Sequence, residues 1–268
     1  MFIDKEREIK IMGIVNLTDD SYYACSRCAC VESARKKIDT MLEEGADIID
    51  IGACSTRPGS FPVDACEEWR RLEPVLEEIS LSLPSVRLSL DTYRSSIVRN
   101  AYAITGTLIV NDISAGENDP DMLGTVGELG LTYVAMHKRG NSQTMQNMTD
   151  YVDVTADVLK YFDAFSVKAR EAGVKDWILD PGFGFAKTTE QNYELVRNLS
   201  EFRSFGRKIL VGISRKSMIY KKFNITPEEA LPATQVVHMQ ALANGADILR
   251  VHDVAEAMRT VSIYRMLQ

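Results

Sequence analysis

Eight times in 268 residues a short apolar run gives way to a longer amphipathic stretch, and seven of the eight runs end on a polar residue or a glycine. That alternation constrains the fold more than any other feature. The apolar runs are residues 10–15, 47–51, 86–90, 107–110, 131–135, 177–179, 208–211 and 247–251. Between them, apolar residues recur at helical spacing: Val31, Ala34, Ile38, Met41 and Leu42 make one stripe of a helix over 31–44. Helices are likewise predicted over 64–83, with Asp64 as N-cap, and over 95–102, 120–129, 151–172, 190–199 and 227–243, with a last one reaching Met266. Gly45, Gly106, Gly130, Gly173, Gly206 and Gly245 each stand between a helix and the next strand, where a left-handed cap is expected. The tetrapeptide Gly-Ala-Asp-Ile even recurs verbatim, at 45–48 and 245–248.

Eight strand-then-helix units, in a chain near the roughly 250 residues typical of that fold, predict an α/β protein: a single-domain (β/α)8 TIM barrel over 1–268. A doubly wound open sheet more often has about five or six units. No linker, low-complexity tract or composition shift interrupts the pattern. A formal net charge of -7 argues against nucleic acid or an anionic membrane as partner. No apolar run approaches a membrane-spanning length, and the first residues, charged from Asp4 on, do not read as a signal peptide. Five cysteines, an odd number, favour a reducing cytoplasm over a disulfide framework.

The barrel reading brings distant residues together, because the C-terminal ends of all the strands open on one face. Asn16, Asp91, Asn111, Asp180, Lys216, Arg250 and His252 then converge. The stretch Trp177-Ile-Leu-Asp-Pro-Gly-Phe-Gly-Phe185 is the sharpest case: a buried strand ends on a carboxylate that Pro181 keeps extended, followed by a glycine turn carrying two aromatics. Asp91, Asn111 and Asp180 offer two carboxylates and an amide, suited to the paired N–H donors of a nitrogen heterocycle such as guanine or a pterin. Arg57, Arg250, His252 and the Ser214-Arg215-Lys216 turn suit an anion such as phosphate. The stretches 16–30, 52–63 and 137–149 are long for strand-to-helix loops, and the first two are expected to act as lids that exclude water.

The same residues resemble the signatures of the dihydropteroate synthase family. The matching segments are Met12-Gly-Ile-Val-Asn16-Leu-Thr18-Asp-Asp20-Ser21, Gly52-Ala-Cys-Ser-Thr56-Arg57-Pro58-Gly59, Ser89-Leu-Asp91-Thr92 and Asn111-Asp112-Ile113-Ser114. Asp180-Pro-Gly-Phe-Gly-Phe185, Gly212-Ile-Ser-Arg-Lys216-Ser217 and Arg250-Val-His252-Asp253 complete them in order. The resemblance implies a pterin-binding (β/α)8 barrel, a homodimer. The activity it implies joins p-aminobenzoate to 6-hydroxymethyl-7,8-dihydropterin pyrophosphate, releasing pyrophosphate and making 7,8-dihydropteroate for folate biosynthesis. It further implies that Asp91, Asn111, Asp180 and Lys216 hold the pterin, with Ile113, Met136 and Gly212 in the same substrate pocket. Asn16, as metal ligand, with Arg250, His252 and Mg²⁺ would hold the pyrophosphate. Thr56, Arg57, Phe185 and Ser217 would lie nearer the p-aminobenzoate. Asp91, Asp180, Lys216 and Arg250 are the expected catalytic set.

The sequence departs from the family pattern in places: Asp19 stands for Pro, Tyr22 for Phe, Cys54 for an acidic residue and Ala186 for Gly, and Tyr23 to Cys28 replaces a glycine-containing stretch. Cys25, Cys28 and Cys30 cluster, but without the second cluster that a structural zinc site needs. Two further functions stay open at this point: a pterin-ring methyltransferase, which has no use for a pyrophosphate clamp, and a non-catalytic pterin-binding paralogue.

Overall fold

The computed structural model describes residues 7–17, 27–54, 63–140 and 143–268. Eight strands lie in it: β1 (Lys10–Asn16), β2 (Ile48–Gly52), β3 (Leu88–Asp91), β4 (Ile109–Asp112), β5 (Thr132–Met136), β6 (Trp177–Asp180), β7 (Leu210–Val211) and β8 (Ile248–Val251). All pair in parallel, in the order β6-β5-β4-β3-β2-β1-β8-β7. A parallel bridge between Leu179 and Ile209 closes β6 onto the chain entering β7, so the sheet forms a ring. The described helices are α1 (Arg27–Glu43), α2 (Ala65–Ser82), α3 (Ser95–Thr105), α4 (Met122–Leu129), α5 (Val154–Glu171), α6 (Thr189–Arg197), α7 (Ser217–Phe223), α8 (Leu231–Ala243) and α9 (Val254–Met266). The predicted (β/α)8 barrel is the observed fold.

Local chemistry accounts for most boundaries. Asp64 caps α2 as expected, accepting from the Glu67 amide at 2.8 Å. Asp153, not Tyr151, opens α5 by capping Ala156, so that helix starts later than its periodicity suggested. The six interelement glycines all carry positive φ. Three pieces went unforeseen: α7, entered directly from the Lys216 turn, and 3-10 segments over Met145–Asn147 and Leu199–Phe205. Pro227 does not start α8; Thr226 and Glu229 cap each other over a turn there, and the helix begins at Leu231.

Strand side chains alternate between two environments, with a period of two. One set, including Ile11, Val15, Ile49, Ile51, Leu90, Val110, Leu179 and Leu249, packs under the surrounding helices. The other set faces the barrel axis. There Met12, Ile48, Ile109, Val134, Ile178, Leu210 and Ile248 meet as a separate apolar floor. Two residues further along four of these strands, on the same face but nearer the C-terminal mouth, the chemistry changes: Ile48 is followed by Asp50, Ile109 by Asn111, Ile178 by Asp180 and Ile248 by Arg250. The floor thus carries a polar layer directly above it. A small cavity of about 90 Å³ lies at the opposite end, lined by Lys10, Arg87, Asp176 and Lys208 among others, away from that layer.

Candidate active site

Register fixes the level of the polar layer on one side of the barrel. Asn16 pairs with Gly52, Gly52 with Asp91, and Asp91 with Asn111, so three polar groups and one glycine stand side by side. The glycine makes room: a Cβ on Gly52 would lie 3.1 Å from the Asp91 Cβ. Across the barrel Met136 pairs with Asp180.

A hydrogen-bonded network ties this layer together. Asn111 Nδ2 donates to Asp50 Oδ2 at 3.0 Å, and Arg250 Nε donates to the same oxygen at 2.6 Å. Arg250 Nη2 reaches Asp91 Oδ2 at 2.7 Å. With its NH₂ turned toward Asp50, Asn111 keeps its carbonyl oxygen for a ligand. Burial works against the Arg250 charge, but Asp50 and Asp91 more than offset it and hold the guanidinium protonated. Burial pushes Asp91 up to about 7; Arg250 pulls it down, while Asp50, Glu68 and Asp112 add repulsion.

Opposite this network lies the glycine turn. Asp180 Oδ1 accepts from the Gly182 amide at 2.8 Å. Burial raises the Asp180 pKa, with Lys216 the largest opposing influence. Lys216 Nζ donates to the Phe183 carbonyl and lies 4.8 Å from the Phe185 ring centroid. Burial brings Lys216 down to about 8, with Asp180 pulling the other way. Acceptors from Asp91, Asn111 and Asp180 and a donor from Lys216 therefore border one space above an apolar floor.

At the rim, the His252 amide donates to Ser214 Oγ at 3.3 Å, and the ring Nδ1 lies 3.2 Å from the same oxygen. A neutral ring that takes the Ser214 hydroxyl proton at Nδ1 presents Nε2–H outward as a donor; one that donates from Nδ1 presents Nε2 as an acceptor. Burial, then Arg250, depresses the His252 pKa to about 4, so the ring is neutral near pH 7. Arg215 does not join the anion-binding groups. It sits at φ 53° and makes a two-pronged ion pair with Asp253, 2.8 and 2.6 Å, which pins the β7 turn to the end of β8. Arg250 is directed inward by its two carboxylates, and its Nη1 makes no hydrogen bond to the described residues.

Of the residues expected in the site, Asp91, Asn111 and Arg250 are linked through Asp50, while Asp180, Lys216 and Phe185 meet at the glycine turn opposite. Gly212 follows β7, where a Cβ would meet only the Arg250 Cβ, 3.9 Å away. Met136 is buried at the end of β5, and Ile113 and Ser217 are half-buried just past β4 and at the start of α7. Asn16 is half-buried at the end of β1. Thr56 and Arg57, and with them Asp19, Tyr22, Tyr23 and Cys25, lie outside the described residues, so the two lid segments are described only at their ends. Cys54 stands at the end of β2 with Sγ 4.0 Å from the Tyr93 hydroxyl.

Sequence reasoning missed three carboxylates that support the site. Asp50 is fully buried; the available signal was an acid inside the apolar run Ile48-Ile-Asp-Ile51. Asp112 accepts from Ser114 N and Oγ at 2.7 Å each, from Gly116 N at 2.9 Å and from Tyr133 Oη at 2.7 Å, and so shapes the loop holding Ile113. Glu68, on α2, accepts from Thr92 Oγ1 at 2.6 Å and pairs with Arg94, fixing the loop after Asp91. Helix periodicity carries no hint of that last contact.

Comparison with known proteins agrees on family and fold. A family model described as pterin binding enzyme matches residues 12–252. A dihydropteroate synthase of Synechocystis sp. is 42 % identical over 254 residues, covering 94 % of this chain and 87 % of the relative. One from Escherichia coli is 40 % identical over 256 residues, covering 94 % of this chain and 90 % of its own length. Among solved structures, a dihydropteroate synthase from Clostridium difficile, crystallised in the presence of pteroic acid, superposes with a TM-score of 0.90 at 34 % identity, covering 100 % of this chain and 99 % of that one. A Thermus thermophilus dihydropteroate synthase in complex with 4-aminobenzoate superposes at 0.85 with 36 % identity, covering 99 % and 96 % of the two chains.

Proposed function

This chain belongs to the dihydropteroate synthase family of pterin-binding enzymes, and from that membership we propose how its residues carry out the reaction. It is a transferase of folate biosynthesis acting on small molecules. The observation that carries the residue assignment is the acceptor layer above the floor. Asp180 Oδ2, Asn111 Oδ1 and Asp91 face the N–H edge of the pterin, while Lys216 donates to a ring acceptor. Met136, Ile113 and Gly212 border the ring. His252 Nε2–H and Arg250 Nη1 serve the pyrophosphate, and Thr56, Arg57, Phe185 and Ser217 serve p-aminobenzoate.

The reaction is a dissociative displacement. The bond between the pterin methylene carbon and oxygen breaks, and its electron pair leaves with pyrophosphate. The resulting cation is delocalised into the ring, where the buried carboxylates Asp91 and Asp180 stabilise it electrostatically. The arylamine lone pair forms the new C–N bond, and the extra proton passes to water. No strong base is needed, because an arylamine is neutral and nucleophilic near pH 7.

The donor set fits Mg²⁺ as a cofactor that travels with its substrate. Among the described residues no three His, Cys, Asp or Glu side chains gather into a cage, and Mg²⁺ ordinarily keeps waters and takes phosphate oxygens. Asn16 at the mouth of β1 is the residue that would hold it. When bound, the ion supplies positive charge to the departing pyrophosphate. A cytoplasmic setting fits the five cysteines, and no described helix is long and apolar enough to cross a membrane.

The test is direct. With pterin pyrophosphate, p-aminobenzoate and Mg²⁺ the protein forms 7,8-dihydropteroate, and chelator suppresses it. Asp180→Asn loses a charge-assisted bond and turns a donor toward a donor, weakening pterin binding by about 3 kcal/mol. Unchanged binding by calorimetry removes Asp180 from the pterin site.

A further inference from the structure

One buried charge beside the site is not used by the reaction just described. Lys187 follows the glycine turn and is 5 % exposed. Its Nζ donates to the Gly182 carbonyl at 2.9 Å and to the Phe185 carbonyl at 3.0 Å, and lies 3.0 Å from His137 Nδ1. An ammonium has three N–H donors, and each finds an acceptor here. The His137 ring is neutral, its pKa depressed to about 2 by burial and then by Lys187, so Nδ1 can accept. The His137 amide in turn donates to the Asp180 carbonyl at 3.0 Å, which anchors the assembly to the end of β5.

There is no slack in this arrangement. A Cβ on Gly182 would lie 1.9 Å from the His137 carbonyl oxygen. From the other side, Asn192 Oδ1 accepts from the Gly184 amide at 2.7 Å while its Nδ2 donates to the Lys187 carbonyl at 3.3 Å. What the held turn presents to the site is the Phe183 carbonyl and the Phe185 ring, the two groups against which the Lys216 ammonium rests.

Two carbonyls and a neutral imidazole need donors, not a charge. A neutral donor would serve them without the cost of desolvating an ammonium, and burial does bring Lys187 down to about 7. The charge has another addressee: Asp180, which Lys216, Arg250 and Lys187 all favour in its ionised form against burial. The charged or titratable groups bearing on Lys187 are Asp180 from β6, Lys216 from the β7 turn, and His137 and Arg139 from beyond β5.

We propose that Lys187 is a positioning residue for the pterin: it pins the Gly182–Phe185 turn under Lys216, and with it the Asp180 carboxylate that accepts from the Gly182 amide. The proposal rests on the pterin reading of the site. It is tested with two variants. Lys187→Met removes donors and charge together, whereas Lys187→Gln removes the charge and keeps an NH₂ group for the two carbonyls, so it carries the test where Met lowers the folded fraction. Both raise KM for pterin pyrophosphate about tenfold while kcat stays within about threefold. Both also move the acid limb of pterin binding to higher pH, because Asp180 loses a neighbouring cation. A Lys187→Gln protein with wild-type KM and an unmoved acid limb overturns the proposal, leaving Lys187 a structural tie. So does a pterin-bound crystal structure in which Nζ has left the Gly182 and Phe185 carbonyls. Asp180→Asn run alongside separates the two levels: if it leaves pterin affinity intact, the pterin reading of the site has failed, whereas a weakened Asp180→Asn beside an unaffected Lys187→Gln fails the positioning role alone.

Discussion

At Asp50 a single buried oxygen accepts from both Asn111 and Arg250. Replacing it by Asn puts an amide between two donors and leaves Arg250 with one carboxylate. Breaking a buried ion pair from one side costs about 3 kcal/mol, and denaturant unfolding of Asp50→Asn should show a loss of that size. The pH dependence should change as well. Asp91, held up near 7, keeps a proton in the folded protein at pH values where the unfolded chain has already released it. Its contribution to stability is therefore full below the ordinary carboxylate pKa and falls as pH rises toward 7, by at most about 1.4 kcal/mol per pH unit. Lys187 and Lys216, brought down to about 7 and about 8, act in the opposite sense, adding stability as pH rises from there toward the ordinary lysine value. In Asp50→Asn the repulsion on Asp91 is gone, so the falling limb ends at lower pH than in the wild type. Unfolding free energies measured between pH 4 and 8 read this directly, and an unshifted limb would show that Asp50 does not bear on Asp91.

The turn after β6 shows what an element demands of its residues. Ala186 closes it with φ 52°, in the left-handed region, and is fully buried. For a residue with a Cβ that conformation costs roughly 1–2 kcal/mol, against about 0.5–1 kcal/mol of extra chain entropy that glycine loses on folding. Ala186→Gly should accordingly stabilise the protein by about 0.5–1 kcal/mol, seen as a higher denaturant midpoint with unchanged slope. A destabilised variant would mean that the Ala186 methyl contributes packing larger than its strain. The sequence comparison marked Ala186 as a departure from the family pattern; that the position is left-handed, and so why glycine suits it, is visible only in the backbone. The β7 turn is similar: Ser214-Arg215-Lys216 reads as three anion-binding groups in sequence, but the positive φ at Arg215 sends its guanidinium to Asp253 instead.

On the scale of the whole molecule, apolar side chains remain outside the barrel on its last two helices. Val236 on α8 is 71 % exposed, and Ile263, Met266 and Leu267 stand exposed on and just beyond α9. The Thr260–Gln235 hydrogen bond joins these helices side by side. Exposed apolar groups on adjacent helices are a common mark of an interface, and we propose that this face joins two copies of the chain. Light scattering should then report twice the 30.0 kDa of one chain. Val236→Asp with Ile263→Asp should shift the protein toward monomer without loss of fold; a wild type that stays monomeric at micromolar concentration removes the proposal.

The linear order of residues was enough to determine the barrel, because the strand and helix periods alternate eight times, six of the helix-to-strand passages carry a glycine, and each of these signals is local. It was also enough to nominate Asp91, Asn111, Asp180, Lys216 and Arg250, since each stands at or near the C-terminal end of a strand or in the turn after one, and strand ends of a barrel meet. What only the tertiary structure decided is how those groups are held. Asp50 and Arg250 are 200 residues apart, and nothing in local sequence says that one carboxylate orients both Arg250 and the Asn111 amide. Lys187 reads as an ordinary surface lysine before α6 until the turn folds over it and desolvates its charge. Register and burial made those decisions: they set which side chains share a level above the Ile48–Ile109–Ile178–Ile248 floor, and which charges are denied water and must find partners in the protein.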